Sequence, residues 1–236
     1  MKEKVKDTFN QLAGIYETAV DTNSLFNSEY ERPAMLAQLP NDLTGMNVLD
    51  AGCAAGWYTE QLIKRGANVV ATDISPEMVS SAKRRVGGTA EILCLDLENE
   101  LPFERDSFDL ILSSLTLHYI KNWKGTFSEF QRILKPDGVF LFSIHHPFTD
   151  ISWLEDDHYF STELIVDRWH KEGIVFDVPF YRRPLNEIMN NTLANFSIEQ
   201  VIEPLPTLQF KEHSPKSYER LMKRPQFLII KARAKL

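Results

Sequence analysis

Cysteine, long apolar runs and an excess of basic charge are scarce in this chain, and each shortage excludes something. Only Cys53 and Cys94 occur in 236 residues, too few for a disulfide-stapled scaffold. Both fall in or beside predicted strands among apolar residues, where the reduced structural thiols of a cytoplasmic protein are expected. No apolar run approaches the roughly 18 residues that a membrane-spanning helix needs, and the charged N-terminus has no apolar, signal-like stretch. Lysine and arginine number 26 against 33 acidic residues, for a net charge of −7, which argues against a nucleic-acid face. The densest basic cluster, Lys83, Arg84 and Arg85, sits where a helix ends and cations suit its dipole. The two cysteines and six histidines form no ligand ladder. His145, His146 and Asp150 suggest a metal by composition alone, without supporting spacing, so no metal is expected. A G-x-G-x-x-G dinucleotide signature is missing as well.

What is present is a run at Val48-Leu49-Asp50-Ala51-Gly52-Cys53-Ala54-Ala55-Gly56-Trp57, with Asp73 17 residues beyond Gly56. It reads as buried strand, glycine turn, helix start, second strand and acidic end, the order that builds a nucleotide-type pocket at the carboxyl edge of a parallel sheet. The first strand ends on Asp50, beside the place where a dinucleotide would set two phosphates, and like charges there repel. A ligand with a sulfonium, an ammonium, a carboxylate and a ribose diol suits the acidic strand end and the turn's N–H groups better. Gly52 is expected to let backbone approach that ligand without an intervening Cβ. Asp73 is placed to accept both ribose hydroxyls.

Elsewhere the pattern alternates. Residues 3–19 carry Val5, Phe9, Leu12, Ala13 and Tyr16 at helical spacing, and Arg32-Pro33 opens a second helix that stops at Pro40. Strands are expected at 47–51, 68–72, 91–95, 108–113 and 139–144, with helices between them. Ser75-Pro76 caps and opens one helix, and Pro136-Asp137-Gly138 stops another. Five alternations of strand and helix imply a doubly wound, mostly parallel sheet. After residue 145 the pattern changes: 162–169 and 174–180 alternate around Gly173 as a hairpin. A helix at 184–194 and closing strands at 196–202 and 227–232 complete a seven-stranded α/β sheet. The chain is read as one domain, 1–236, with an N-terminal helical lid over 1–40 and a substrate cap over 145–185 inserted after strand five.

The segments VLDAGCAAGWYTEQL (48–62), VVATDISPEMVSSA (69–82), CLDLENELPFERDSFDLILSSLTLHYIKNW (94–123) and EFQRILKPDGVFLFSIHHP (129–147) resemble the class I S-adenosylmethionine-dependent methyltransferases. The nearest branch is the small-molecule group that includes enzymes of ubiquinone and menaquinone biosynthesis. The resemblance implies a Rossmann-like methyltransferase fold, S-adenosylmethionine as cofactor and S-adenosylhomocysteine as product. It puts Asp50, Ala51, Gly52, Cys53 and Gly56 around the methionine part. Asp73 would hold the ribose, Ile74 would pack on the adenine, Asp96 and Leu97 would meet its edge, and Met78 would belong to the cofactor site. Ser113 would face the methionine carboxylate, and Tyr16 would lie over the cofactor. Ala54 stands where the family often has a third glycine, which asks for ordinary backbone angles there.

Methyl transfer is an in-line displacement that leaves a neutral thioether, so alignment and water exclusion are the enzyme's main tasks. A hydroxyl or amine acceptor also needs a base. His118, His145 and His146 are the candidates, since each follows a strand whose carboxyl end faces the site. His145 and His146 point apart in extended chain, and His146 is preferred because Pro147 fixes the next turn. Phe148, Trp153, Tyr159, Phe160, Trp169 and Tyr181 suggest a wall for a small aromatic or amphipathic acceptor, and Arg182 or Arg183 an anchor for an acidic group or partners of surface carboxylates. The competing function is a cofactor-binding partner or regulator without turnover, which a pocket filled by its own side chains would favour.

Overall fold

The computed structural model describes residues 1–17, 24–152, 158–171 and 173–235. Strands β1 (Asn47–Ala51), β2 (Asn68–Asp73), β3 (Glu91–Cys94), β4 (Phe108–Ser114) and β5 (Leu134–His145) run parallel. Antiparallel β8 (Phe196–Ile202) and β9 (Phe227–Ala234) close the sheet in the order β3-β2-β1-β4-β5-β9-β8. This is the seven-stranded, mostly parallel sheet expected, and its Val-, Ile- and Leu-rich strands are buried on both faces because helices cover each side. On one face α5 (Trp123–Ile133) sets Phe127, Phe130 and Ile133 against Phe140, Phe142 and Phe196. Those rings are fully buried, and each contributes about 1.5–3 kcal/mol of burial, so this face carries much of the core. On the other face α2 (Arg32–Leu36) and α3 (Trp57–Lys64) lay Met35, Tyr58 and Leu62 on Val48, Leu110 and Leu141.

Local signals act as read where they are strong. Ser75 Oγ accepts the Met78 N–H at 3.1 Å and opens α4 (Pro76–Val86), which ends at Gly87 with φ +57°. The hairpin of β6 (Glu163–Lys171) and β7 (Ile174–Arg182) forms a separate two-stranded sheet. It packs Phe176 and Val178 against Leu12 and Ala13 of α1 (Lys2–Ile15).

Several expectations change. The second helix starts upstream: a π-helical turn, Asn27–Glu31, runs straight into α2, and the Arg32 N–H reaches back to the Asn27 carbonyl. The wider turn makes room for the Pro33 ring inside a continuous helical stretch. Pro136-Asp137-Gly138 lies within β5 instead of before it. Leu134 already pairs with Phe108, and the register then jumps to Leu110–Val139, a bulge with Asp137 at φ +60°. Cys53 is buried but Cys94 is exposed. Arg182 and Arg183 are both buried. Arg182 donates to the carbonyls of His158 (2.6 Å), Tyr159 (3.0 Å) and Ser161 (2.8 Å). Arg183 donates to the Ile120 and Lys121 carbonyls and lies 4.6 Å over the Trp123 ring. Arg182 fastens β7 to the segment just before β6, Arg183 ties the hairpin to the residues after β4, and neither is free for an acidic ligand.

Further helices are α6 (Pro147–Ile151), α7 (Leu185–Asn195), α8 (Leu208–His213) and α9 (Pro215–Leu221). The last two, in the stretch after Pro206, are too short to show helical periodicity in sequence. Among the described residues no helix is long and apolar enough to cross a membrane.

Candidate functional site

A cavity of about 540 Å³ opens at the carboxyl ends of the parallel strands, the crevice where open α/β sheets bind ligands. Gly52, Cys53, Ala54 and Ala55 of the β1–α3 turn line it, with Asp73, Asp96, Ser114 and His145 at the ends of neighbouring strands. Val5 and Phe9 of α1, Tyr16 just past its end, and Trp169 of β6 wall its other sides.

The turn is held in an unusual shape. Gly52, Ala54 and Gly56 all have positive φ, of +86°, +47° and +81°. Ala54 therefore takes the left-handed conformation that glycine normally supplies, not the ordinary one expected. Asp73 clamps it: Oδ2 accepts the Ala54 N–H at 2.9 Å and Oδ1 accepts the Ser75 N–H at 2.9 Å. Burial pushes the Asp73 carboxyl up to about 6 against these stabilising bonds. A Cβ at Gly52 would meet Thr116 Oγ1 at 2.2 Å, so the crowding there comes from the segment after β4. At Gly56 a Cβ would lie 3.0 Å from that of Ala82, which makes this glycine a contact between α3 and α4.

Tyr16, Gly52, Cys53, Asp73, Ile74, Asp96 and Leu97 all line the cavity. Asp50, Ala51, Gly56, Met78 and Ser113 do not; they frame it from behind. Asp50 is buried and accepts the Thr59 hydroxyl at 2.6 Å. Ser113 Oγ donates to the Ala51 carbonyl at 2.8 Å, and Met78 packs in the core with Leu12 and Ala55. The neighbouring Ser114 takes the lining position. Burial, with a smaller contribution from Asp73, raises the Asp50 carboxyl to about 7. A folded-state pKa above the unfolded value is a stability contribution present at low pH and lost as pH rises through about 7. Asp50→Asn keeps an acceptor for Thr59. It is expected to raise the melting temperature at pH 8 by several degrees and by markedly less at pH 5, where the penalty has built up only in part between the unfolded and folded pKa values, as read by calorimetric scans of the unliganded protein.

Glu31, Arg32 and Lys2 are among the lining residues that escaped the sequence reading. Glu31, fully buried, accepts hydroxyls from Tyr58 (2.7 Å), Ser114 (2.8 Å) and Ser143 (2.5 Å). Burial raises its carboxyl despite them. Arg32 lines the cavity with its guanidinium 4.0 Å over the Trp57 ring. Lys2 Nζ reaches Asp96 at 2.6 Å and Glu98 at 3.0 Å, fastening α1 over the β3 end. The one available signal was a Glu-Arg pair in an apolar helix face.

The histidines separate. His146 is turned out of the cavity: Nδ1 accepts the Phe148 N–H at 3.1 Å and caps α6, and Nε2 lies 2.9 Å from Glu203 Oε1. His118 and His145 both line the cavity, with rings stacked 4.3 Å apart at 18°. His145 shares its strand face with Leu141 and Ser143. Burial lowers the His145 imidazole to about 4 and depresses His118 strongly. Of the six aromatic residues read as an acceptor wall, Trp169 lines the cavity and donates to Asp167 Oδ2 at 2.7 Å. Phe148 and Phe160 face solvent, and the Tyr159 hydroxyl accepts the Leu185 N–H. Tyr181 is outside the cavity wall, and Trp153 lies outside the described residues.

Comparison with known proteins gives a family model, "Methyltransferase domain", that matches residues 49–142. An uncharacterized protein of Haemophilus influenzae is 32% identical, with 97% of this chain and 95% of that protein aligned. The crystal structure of an S-adenosylmethionine dependent methyltransferase from Mesorhizobium loti is 30% identical. It superposes with a TM-score of 0.70 over 86% of this chain and 97% of that one. A malonyl-acyl-carrier-protein O-methyltransferase of Hamiltonella defensa is 30% identical over 60% of this chain, which spans about half (52%) of its length.

Proposed function

Since the chain belongs to the S-adenosylmethionine-dependent methyltransferases, we propose that it methylates a small aromatic or amphipathic acceptor seated between Trp169, Tyr119 and the stacked pair His118–His145. The cavity itself carries this reading. It is not filled by its own side chains, as a non-catalytic binding partner's would be, and its polar groups fit the cofactor piece by piece. Asp73 would hold the ribose diol at the end of β2. Ile74 and Leu97 offer apolar faces for the adenine, with Asp96 at its edge shared with Lys2. Arg32, fixed on Trp57 beside the glycine turn, would hold the methionine carboxylate, a role that falls to it and not to Ser113.

Bound there, the cofactor supplies a methyl group activated by positive sulfur. The protein's own task is to fix the acceptor in line, exclude water and deal with a proton where the acceptor carries one. α1 closes the cavity with Val5 and Phe9, joined by Tyr16 at its C-terminal end, and Lys2 holds that cover shut. The malonyl-acyl-carrier-protein relative is named an O-methyltransferase; the wall here offers aromatic rings, which supports an aromatic acceptor.

Calorimetric titration with S-adenosylmethionine and S-adenosylhomocysteine tests the cofactor part, followed by methyl transfer to a panel of phenols, amines and quinols. Micromolar binding and turnover of at least one aromatic acceptor are expected. Arg32→Met should weaken S-adenosylhomocysteine about 30-fold, equivalent to about 2 kcal/mol, while leaving methylthioadenosine, which lacks the amino-acid end, unaffected. Equal losses for both ligands would assign Arg32 to structure alone.

A further inference from the structure

Behind the histidine pair lies a group that the reaction scheme above leaves unused. Asp150, on α6, is buried, and its Oδ1 stands 3.7 Å from His145 Nδ1. That Oδ1 and both ring nitrogens of His118 have no hydrogen-bond partner among the described residues. Buried polar atoms left unpaired cost about 1–3 kcal/mol each, so a cluster of them beside a ligand cavity needs a purpose. Phe180 packs edge-on against both imidazoles, 5.5 Å from His118 and 4.7 Å from His145, and fixes their stacked geometry.

Building on the proposed methyl transfer, we infer that His145 is the base of this enzyme, that Asp150 positions it and stabilises its cation, and that the acceptor's reacting group is a hydroxyl. The acceptor's O–H bond breaks and its proton passes to the His145 imidazole. The oxygen's electron pair forms the new bond to the methyl carbon, and the pair of the broken carbon–sulfur bond returns to sulfur. The positive charge that leaves sulfur ends on the imidazolium, 3.7 Å from the Asp150 carboxylate. An acceptor already anionic at neutral pH, such as a carboxylate, would have no use for this arrangement. His118, stacked on His145, stays neutral and spaces the ring.

The charged groups around the couple set its pH behaviour. Burial raises the Asp150 carboxyl to about 8 against the opposing charge of Arg182, with Asp167 adding to the rise. Arg183 and His145 each disfavour a proton on His118. Asp150 therefore becomes the carboxylate that supports an imidazolium only as pH rises through about 8.

The test uses the full chain with catechol and 4-hydroxybenzoate as hydroxyl probes and benzoate as the carboxylate probe. For wild type, methyl transfer to a phenolic oxygen is expected, with kcat rising through about pH 8. Asp150→Asn should lower kcat 10- to 100-fold and erase that rise, with KM and S-adenosylhomocysteine affinity unchanged. Asp150→Glu should restore part of the loss, and His145→Asn should lower kcat by 100-fold or more. Nitrogen-15 spectra of the S-adenosylhomocysteine complex should show the His145 ring tautomer change in Asp150→Asn. An unchanged pH profile and tautomer in Asp150→Asn would overturn the inference, as would methylation of benzoate but of neither phenol. Absence of S-adenosylhomocysteine binding by wild type would instead refute the cofactor reading beneath it.

Discussion

Gly52→Ala is expected to cost about 3 kcal/mol or more of folding stability and to abolish cofactor binding. Two separate penalties add. The backbone at residue 52 has φ +86°, where an L side chain costs about 1 kcal/mol or more. The added Cβ would also sit 2.2 Å from Thr116 Oγ1, 2.3 Å from its Cγ2 and 2.7 Å from its Cβ. Overpacking of that kind costs about 1–3 kcal/mol, and the clash involves the branch point, so no rotamer of Thr116 escapes it. Gly45→Ala separates the two penalties, because residue 45 has φ +81° and nothing within 4 Å of its Cβ position. Urea unfolding should give about 1 kcal/mol for Gly45→Ala and three times that for Gly52→Ala. The double variant Gly52→Ala/Thr116→Gly should recover most of the difference. Equal costs at the two glycines would remove Thr116 from the account.

That contact also shows where sequence reading stops. The motif announced a glycine at the end of β1, and the backbone does need one there. The neighbour that crowds it is 64 positions away, in the segment after β4, and no local pattern connects Gly52 with Thr116. The same limit explains the histidines. Adjacent residues at a strand end face opposite ways, which was legible. Which of the two enters the cavity depends on α6, whose first turn takes His146 Nδ1 as its cap. Asp50 misled in another way, since an acidic strand end looks the same in sequence whether its carboxylate meets a ligand or a threonine hydroxyl behind the turn. Strand positions, caps and the hairpin were readable because short-range chemistry determines them: Ser75 before Pro76, Gly173 between two alternating runs. Glu31 and Arg32 were not, because their burial follows from how a π-helical turn rolls this helix onto Tyr58 and Trp57.

Asp73→Ala should reduce S-adenosylmethionine affinity at least 100-fold, about 2.8 kcal/mol, in calorimetric titration at pH 7.5. Removing the carboxylate does two things at once. It deletes the proposed acceptor for the ribose diol, and it releases the Ala54 and Ser75 N–H groups that Asp73 holds at 2.9 Å each. The released Ala54 no longer has a partner to offset its left-handed backbone, so a loss of binding alone would not separate contact from turn. The double variant Asp73→Ala/Ala54→Gly does, since glycine adopts that conformation freely. If the carboxylate itself binds ligand, the double variant should regain turn stability while affinity stays low. Restored affinity would make Asp73 a clamp only. The pH dependence gives a second, independent sign. Burial raises the Asp73 carboxyl to about 6, so without ligand its stability contribution is present at low pH and lost as pH rises through about 6. Ligand affinity should run the other way, falling as pH drops below about 6 and the carboxylate is protonated. A turn that is least comfortable when its carboxylate is charged is one that a ligand with two hydroxyl donors is suited to relieve.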